Sequence, residues 1–400
     1  MIISLVGNGL AQAQPYFYFS EPRKKKSFSF EFHRNLMVVD VMINGHGPFN
    51  FVLDTGVGIS TITNPSLKQL LNLQRIRNVL IRGLGGDEGS PAFLTSDVKI
   101  SFSGIESIPL TMVVFEEDPF FLSTYLGVKV DGILGYEFFS SFVSKINYQE
   151  NLLTVYAPGT YNPGRKYDFI PMVVHSNKPF VKALCTLFDG SPISVDLLVD
   201  TGAGFPLSLE TYSDSGIRIP AKHLEMQLGL GLSGIIHGSL ARSEELKLGN
   251  FLFREVVTSF PDYDDWQTRL EPIKRNGSIG NFLLKRFTVV FDYGNGQLFL
   301  KPTHRIKEPF KYDRVGIDLV GGGEDFNHFV VHHVKVNSPA DEAGILEDDE
   351  VMEINFQKVM KLDLGAIDEI LSDPDAKNVW LKLKRVDEYI YLWIKMRNLI

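Results

Sequence analysis

The stretch Phe49-Asn50-Phe51-Val52-Leu53-Asp54-Thr55-Gly56 is an apolar run that ends in an Asp-Thr-Gly triplet. The same triplet recurs as Asp200-Thr201-Gly202, directly after the apolar run at 194–199. At ordinary residue frequencies, chance gives roughly 0.07 such triplets in a chain of this length. Two copies therefore indicate that the chain contains an internal repeat.

A second pair of matching segments supports the repeat. Gly132-Ile133-Leu134-Gly135 ends 81 residues after Asp54, and Gly277-Ser278-Ile279-Gly280 ends 80 residues after Asp200. The residues that follow align without a gap, as in Ile146-Asn147-Tyr148 against Phe291-Asp292-Tyr293. A self-match of about 145 residues is too long for a solenoid repeat. It predicts a duplicated domain with approximate two-fold symmetry between its halves.

These paired segments resemble the aspartic peptidases of the pepsin and retropepsin superfamily, over residues 28–303. The resemblance implies a mainly β fold with two duplicated β lobes, related by a pseudo-two-fold axis, and hydrolysis of peptide bonds in extended polypeptide substrates without a cofactor. Because both aspartates lie in one chain, the protein does not need to dimerise to form a catalytic pair of aspartates, called a dyad below. By this resemblance the catalytic residues are Asp54 and Asp200, and the residues that support them are Thr55, Gly56, Thr201 and Gly202.

The residue after each triplet departs from the usual pattern of the superfamily. Many members carry Ser or Thr there, whereas this chain has Val57 and Ala203. This departure and the weak Ser278-Ile279-Gly280 segment keep an alternative open. In that alternative the protein is a non-catalytic peptide-binding adaptor with degenerate peptidase lobes.

Two glycine-rich segments follow the aspartates at matching distances of about 30 residues. Glycine lets a hairpin tip flex and lets backbone approach a ligand. The segments are therefore predicted to be mobile flaps over the substrate, as a peptidase of this kind needs. The predicted flap residues are Gly83, Leu84, Gly85, Gly86, Gly231, Leu232, Ser233 and Gly234.

The last part of the chain has a different pattern. Residues 343–355 are similar to the small-Gly-apolar turn, acidic loop and apolar strand of bacterial PDZ domains, and 363–372 is predicted to be the helix beside a peptide groove. The resemblance implies an α+β PDZ-like domain at 310–397. In it, the amides of Val315, Gly316 and Ile317 would bind the carboxylate of a peptide C-terminus. The alternative is a PDZ-like fold that only packs against the lobes.

Composition excludes several other classes of function. The chain of 400 residues has a net charge of −8 and no domain-wide basic face, which argues against a nucleic-acid partner. No segment reaches the ~18 apolar residues that a membrane span requires. The histidines lack metal-ligand spacing, so neither a metal site nor a cofactor is predicted. Cys185 is the single cysteine, and its apolar surroundings predict a core position.

The N-terminus resembles the end of a secretory signal. Met1-Ile2-Ile3-Ser4-Leu5-Val6 precedes Ala11-Gln12-Ala13, a possible cleavage site before Gln14. The alternatives are a truncated signal, which predicts export to the periplasm or cell envelope, and an ordinary disordered terminus. The predicted divisions are an N-terminal segment with a solvated basic linker at 1–27, lobe 1 at 28–160, lobe 2 at 161–303 and the PDZ-like domain at 310–397.

Overall fold

The computed structural model describes residues 15–81, 89–188, 190–231, 234–262 and 275–400, without the side chains of 230, 231, 234 and 235. Strands account for 50% of the structure and helices for 11%, so the fold is mainly β, with barrel-like sheets. The signal-like stretch at 1–14 lies outside the described residues.

The strands fall into three consecutive groups along the chain. The first comprises β1 (Phe17–Phe19), β2 (Lys25–Ser29), β3 (Glu31–His33), β4 (Leu36–Ile43), β5 (His46–Leu53), β6 (Thr61–Ile62), β7 (Arg77–Ile81), β8 (Ser90–Val98), β9 (Ile100–Phe102), β10 (Ile105–Ser107), β11 (Leu110–Phe115), β12 (Gly132–Leu134), β13 (Val143–Asn147) and β14 (Leu152–Tyr156). The second comprises β15 (Asp168–His175), β16 (Lys178–Thr186), β17 (Ile193–Asp200), β18 (Leu207–Leu209), β19 (His223–Gly231), β20 (Gly234–Leu248), β21 (Phe251–Pro261), β22 (Gly277–Gly280), β23 (Phe287–Asp292) and β24 (Gln297–Pro302). The third comprises β25 (Ile317–Gly322), β26 (His328–Val334), β27 (Glu350–Ile354), β28 (Gln357–Lys358), β29 (Asn378–Arg385) and β30 (Glu388–Lys395).

The helices are short, and three of them follow Pro65 and the two closing glycines, Gly135 and Gly280. Among the described residues, none of them is long and apolar enough to cross a membrane. They are α1 (Leu67–Leu70), α2 (Leu122–Leu126), α3 (Tyr136–Ser141), α4 (Asn281–Leu284), α5 (Pro339–Glu342) and α6 (Leu364–Leu371), with 3-10 turns at His304–Lys307 and Val359–Lys361.

Two series of neighbouring strands have the same order. The first runs β4-β5-β12-β6-β11-β8-β7, and the second runs β16-β17-β22-β18-β21-β20-β19. In both, the strand that leads into Asp-Thr-Gly pairs in parallel with the strand of the closing glycine segment, β5 with β12 and β17 with β22. Residues 51–53 and 197–199 are buried at consecutive positions, so both faces of these central strands are covered, which explains the apolar runs before the triplets. Each triplet is thereby fixed at the carboxyl end of a central strand.

The second series continues beyond β16 into strands from both halves of the repeat, and together they form one 13-stranded sheet that ends at β19 and β2. This continuation holds the two series together. Its order is β15-β24-β23-β13-β14-β2, and the junction is the antiparallel pairing of β13 with β23, which sets Ser144 opposite Phe291. One face of this sheet, which includes Ile146 and Phe291, belongs to the same hydrophobic core as Leu53 and Val199, the residues that precede the two aspartates. A single core therefore positions both triplets.

The segment before residue 28 is part of the fold, which corrects the expectation of a linker there. Phe17 is fully buried in β1, and its N–H donates to Ser141 Oγ at 2.9 Å. The basic run enters β2, where Lys25 and Lys26 pair with Tyr156 and Val155. The reason is that a strand needs only one buried face. Phe28 buries that face, and the lysines lie at the edge of the sheet.

The third group of strands forms a separate sheet with its own hydrophobic core. Its order is β25-β26-β27-β29-β30, with β28 beside β27. The helix predicted at 363–372 is present as α6. Asp363 caps it by accepting a hydrogen bond from the Ala366 N–H at 2.7 Å.

Arg34, in the turn between β3 and β4, connects this C-terminal sheet to the first series. Its Nε and Nη2 donate to the two carboxylate oxygens of Asp368 on α6, at 2.8 and 2.9 Å. Its Nη1 donates to the carbonyls of Leu319 in β25 and Tyr125 in α2, both at 2.8 Å. Because the guanidinium lies between β25 and α6, that groove is occupied by the chain itself.

We expect Arg34→Ala to lower the free energy of unfolding. The Arg34 side chain is only 8% exposed, so its loss leaves carbonyls and a carboxylate without their donor. Asp368 is 47% exposed and is partly rehydrated, which limits the cost to about 1–3 kcal/mol. Urea unfolding measures this. The control is Arg254→Ala, which removes an ion pair with Glu245 whose arginine is 73% exposed, and should change stability by less than about 1 kcal/mol. Equal midpoints for the two variants would contradict the role of Arg34.

Candidate active site

Asp54 and Asp200 occupy equivalent places at the ends of β5 and β17. The Asp54 N–H donates to the Leu134 carbonyl in β12 at 2.9 Å, and Asp200 lies opposite Gly280 in β22. Both side chains are partly exposed, while the threonines that follow them are fully buried. The two strand ends meet, so residues 146 positions apart in sequence form one cluster.

Thr55 and Thr201 join the two loops by reciprocal hydrogen bonds, as expected for these positions. The N–H of each donates to Oγ1 of the other at 3.0 Å. Each hydroxyl then donates to a carbonyl before the opposite aspartate, Thr55 to Val199 at 2.6 Å and Thr201 to Leu53 at 2.9 Å. Each hydroxyl thus both accepts and donates across the junction, which fixes the separation of the loops.

Gly56 and Gly202 allow the carboxyl groups to approach. The Gly56 N–H donates to Asp54 Oδ1 at 2.6 Å, and the Gly202 N–H donates to Asp200 Oδ1 at 2.8 Å. Each glycine also packs against the opposite aspartate. A β-carbon on Gly56 would lie 2.7 Å from Asp200 Oδ1, and one on Gly202 would overlap the Asp54 carboxyl. Glycine is required here because of close contact.

The two carboxyl groups interact directly. Burial raises the pKa of Asp54 well above its ordinary value, and the charge of Asp200 and a hydrogen bond with it raise the pKa further. The Gly56 N–H and the positive charge of Lys178 act in the opposite direction. The pair therefore keeps a proton at a pH at which an isolated aspartate is ionised.

The closing glycines bring the next backbone segment under each loop. The N–H of Tyr136 donates to the Val57 carbonyl at 3.0 Å, and the N–H of Asn281 donates to the Ala203 carbonyl at 2.9 Å. A β-carbon on Gly135 or on Gly280 would overlap these same carbonyls. Val57 and Ala203 thus support the loops through their backbone carbonyls, which a residue of any type would provide. The Val57 side chain packs on an apolar cluster.

Sequence reasoning missed Asn281, the first residue of α4. It is fully buried, and its Nδ2 donates to the carbonyls of Thr201 at 2.6 Å and Asn35 at 2.7 Å. Its Oδ1 accepts from the Tyr148 hydroxyl at 2.7 Å. Asn281 therefore fixes the Asp200 loop against the turn that carries Arg34. An asparagine directly after the closing glycine was the signal in the sequence.

Two further residues near the triplets were also missed. The Tyr293 hydroxyl is buried without a hydrogen-bond partner among the described residues. Burial raises its pKa well above the ordinary value, and the charges of Asp54 and Asp200 raise it further. On another side, Asn177 Nδ2 donates to the Gly58 carbonyl at 3.0 Å. These contacts lie in segments that the triplets do not mark.

Each predicted flap segment lies in the sequence between two strands that pair antiparallel, β7 with β8 and β19 with β20. In β7 and β8 the last described pair is Ile81 with Ser90, and in β19 and β20 it is Gly231 with Gly234. The two hairpins hold equivalent positions in the matching strand orders. The other predicted flap residues, Gly83, Leu84, Gly85, Gly86, Leu232 and Ser233, lie outside the described residues.

The loop predicted to bind a peptide carboxylate differs from expectation. The N–H groups of Val315 and Gly316 already donate to the Asp313 carboxylate, at 2.8 and 2.9 Å. Buried Lys335 neutralises this carboxylate with an ion pair of 3.2 Å. Ile317, the third predicted residue, pairs with Val334 in the sheet. An internal carboxylate therefore takes the position predicted for the ligand.

Other potential sites are separate from the dyad. A cavity of about 720 Å³ lies between the second series and the C-terminal sheet, and its lining includes Arg242, Phe310 and Arg314 but neither aspartate. Among the described residues, no three His, Cys, Asp or Glu side chains are grouped to hold a metal ion. Cys185 is buried and free.

Comparison with known proteins gives one family. The family model described as aspartyl protease matches residues 39–138. This range contains Asp54-Thr55-Gly56 and Gly135, and the match supports an aspartic peptidase-like domain there. Asp200 lies outside the matched range. No curated protein matches the chain.

We expect Thr201→Val to destabilise the protein by about 2–4 kcal/mol. Valine has nearly the same shape but leaves the buried Thr55 N–H and Leu53 carbonyl without partners. The matched control is Thr95→Val. Thr95 is also fully buried, but its hydroxyl has no partner, so its replacement should be neutral or stabilising. Denaturant unfolding measures both. A Thr201→Val loss no larger than that of Thr95→Val would contradict the reciprocal bonding.

We expect Asp54→Asn to change the pH dependence of stability. Because the pKa of Asp54 is raised in the folded state, Asp54 contributes fully to the free energy of unfolding at pH values below the ordinary aspartate pKa. That contribution declines as the pH rises through the raised pKa, since only the unfolded chain ionises freely. Asparagine cannot ionise. The free energy of unfolding of the variant should therefore increase relative to that of wild type by up to about 1.4 kcal/mol per pH unit in that window.

Thermal unfolding between about pH 3 and pH 8 measures this gain. The control is Asp97→Asn at an exposed carboxylate in a left-handed position that asparagine tolerates. A constant difference between Asp54→Asn and wild type at all pH values would contradict a raised pKa.

Proposed function

We propose that the protein is an aspartic endopeptidase, in which Asp54 and Asp200 activate a water molecule to hydrolyse peptide bonds of extended polypeptides. The observation that carries this proposal is the reciprocal packing of the two triplets. Each glycine packs against the opposite carboxyl, and the charge of Asp200 raises the pKa of Asp54. A turn with only a structural role does not need a second aspartate packed against its glycine. The aspartyl protease family match supports the same activity.

The chemistry follows from one proton shared by two carboxyl groups. The ionised carboxylate takes a proton from the attacking water, while the protonated partner donates a hydrogen bond to the scissile carbonyl. The partner then supplies the proton that the departing amine requires. The titration belongs to the pair, so acid and base are roles and not fixed residues. The positive charge of Lys178 favours the ionised form of Asp54, against the larger effect of burial on its pKa.

The matching strand orders support a duplicated architecture, with lobes at 28–160 and 161–303 related by a pseudo-two-fold axis. In this proposal the hairpins β7–β8 and β19–β20 cover an extended substrate as flaps. Closure over the substrate excludes water and strengthens the hydrogen bonds to the reacting carbonyl.

For residues 310–397 we propose a PDZ-like domain that packs on the first lobe. Arg34 bonds both to α6 and to the edge strand β25, where an added peptide strand would lie. Asp313 holds the amides that a peptide carboxylate would need. These contacts favour the packing alternative over binding of peptide C-termini.

One observation favours a second candidate, a non-catalytic peptide-binding protein. The residues after the triplets, Val57 and Ala203, have no hydroxyl to support a carboxylate. Among the described groups, the Asp54 carboxylate has one backbone donor, the Gly56 N–H. A dyad with weaker support could hold a peptide without cutting it.

Cleavage of denatured protein substrates tests the two candidates. We expect wild type to cut between about pH 4 and pH 7, where a coupled pair holds one proton. Asp54→Asn and Asp200→Asn should each reduce the rate on the order of 10²–10⁴-fold, because each removes one of the proton-transfer groups. Sequencing of the products gives the cut sites, and Asp97→Asn is the control. Unchanged cleavage by both dyad variants would exclude the proposed chemistry. Binding of peptide without any cleavage by wild type would establish the second candidate.

A further inference from the structure

The last strand, β30, is an unprotected sheet edge. The three sheets of the described structure end at β1 and β7, β19 and β2, and β25 and β30. Natural proteins limit pairing at such edges by short strands, lysines, bulges or cover. Four of the other five ends show one of these features. β1 has three residues, β2 carries Lys25 and Lys26, and β19 and β25 contain register shifts.

β30 shows only one of these features, a single lysine at its last position, Lys395. It has eight residues, Glu388–Lys395, and pairs with β29 along its whole length without a register shift. It contains no proline and consists mainly of aromatic and β-branched residues, which is the composition of strands that readily pair with other chains. Its outer side is thus a regular template for a further strand.

The solvent face of β30 is aromatic. Tyr389, Tyr391 and Trp393 alternate along the strand and are 53%, 60% and 68% exposed. Beside them, Phe356 is 66% exposed and stacks on Trp380, with ring centroids 4.2 Å apart. Monomeric proteins rarely leave such a continuous apolar surface in water. The surface therefore indicates an interface.

The sequence of β30 is complementary to itself in the antiparallel direction. When two copies are paired about Tyr391, Tyr389 lies opposite Trp393 of the second copy, and Tyr391 lies opposite its own equivalent. Aromatic pairs directly opposite each other are favourable on a sheet surface. On the other face, Ile390 lies opposite Leu392.

Charge sets the register of this pairing. Pairing about Tyr391 brings Asp387, at the tip of the β29–β30 hairpin, opposite Lys395 of the second copy, and the two-fold axis repeats this pair. A shift of two residues toward the hairpin would place Lys395 beyond the tip without an opposite residue, because Arg385 lies on β29 opposite Glu388. A shift of one residue would place the aromatic side chains on opposite faces.

We propose that two copies of this chain associate through antiparallel pairing of their β30 strands, centred on Tyr391, to form one continuous sheet with a shared aromatic face. The interface is isologous and closes as a dimer. It is independent of the proposed peptidase activity, because Asp54 and Asp200 lie in the same chain.

Sedimentation equilibrium of the full chain, from about 1 µM to about 100 µM, tests the proposal, since dimer fraction depends on protomer concentration. We expect wild type to be a dimer. Tyr391→Glu places two carboxylates opposite each other at the axis and should weaken the dimer by at least about tenfold, or about 1.4 kcal/mol. Lys382, which lies opposite Tyr391 on β29, can pair with the new carboxylate, so the monomer fold is maintained. The control is Val336→Glu, which changes a residue that is 73% exposed elsewhere in the same domain.

A charge exchange tests the register. Asp387→Lys alone sets two lysines opposite each other twice and should weaken the dimer. The double variant Asp387→Lys with Lys395→Asp restores opposite charges and should recover it. Circular dichroism checks that each variant is folded, and the cleavage assay should be unchanged in all of them. Wild type that remains monomeric throughout would overturn the proposal, and so would a dimer that Tyr391→Glu leaves intact.

Discussion

The reciprocal hydrogen bonds between Thr55 and Thr201 are the constraint on which the site depends. They are fully buried and link two loops that lie far apart in the sequence. Removing the hydroxyl of one threonine leaves an N–H and a carbonyl unpaired in the core, and this costs more free energy than a hydrogen bond contributes. The loops therefore have one stable separation. At that separation each carboxyl contacts the glycine of the other loop, and the charge of Asp200 raises the pKa of Asp54.

The surrounding fold preserves this arrangement. Parallel pairing of β5 with β12 and of β17 with β22 fixes the strand ends, and the closing glycines bring backbone donors under each loop. Asn281 extends the connection from the Thr201 carbonyl to the turn of Asn35. The adjacent Arg34 continues it to the C-terminal sheet. The dyad is thus supported by backbone contacts and buried amides, and the missing hydroxyl at Val57 removes only one of several supports.

The sequence predicted the parts of the site that occur in both halves of the repeat. Asp-Thr-Gly and the closing glycine require those residue types, because a carboxyl, a bridging hydroxyl and close packing have no substitutes. It did not predict Arg34, Asn281 or Tyr293, whose partners depend on how distant segments meet. The carboxylate loop was a different error. Asp313 stands two residues before Val315, a spacing at which aspartate commonly binds backbone N–H groups. The lysines of β2 misled because charge alone does not exclude an edge strand.

Binding of a transition-state mimic tests the shared-proton dyad most directly. Such a ligand is a peptide in which a hydroxyethylene group replaces the scissile amide, so that its hydroxyl takes the place of the attacking water between the carboxyl groups. Calorimetry should show binding to wild type, and a loss of at least about 10²-fold in affinity for both Asp54→Asn and Asp200→Asn. Equal affinity of wild type and both variants would show that the two aspartates do not act together at a substrate, and would contradict the account.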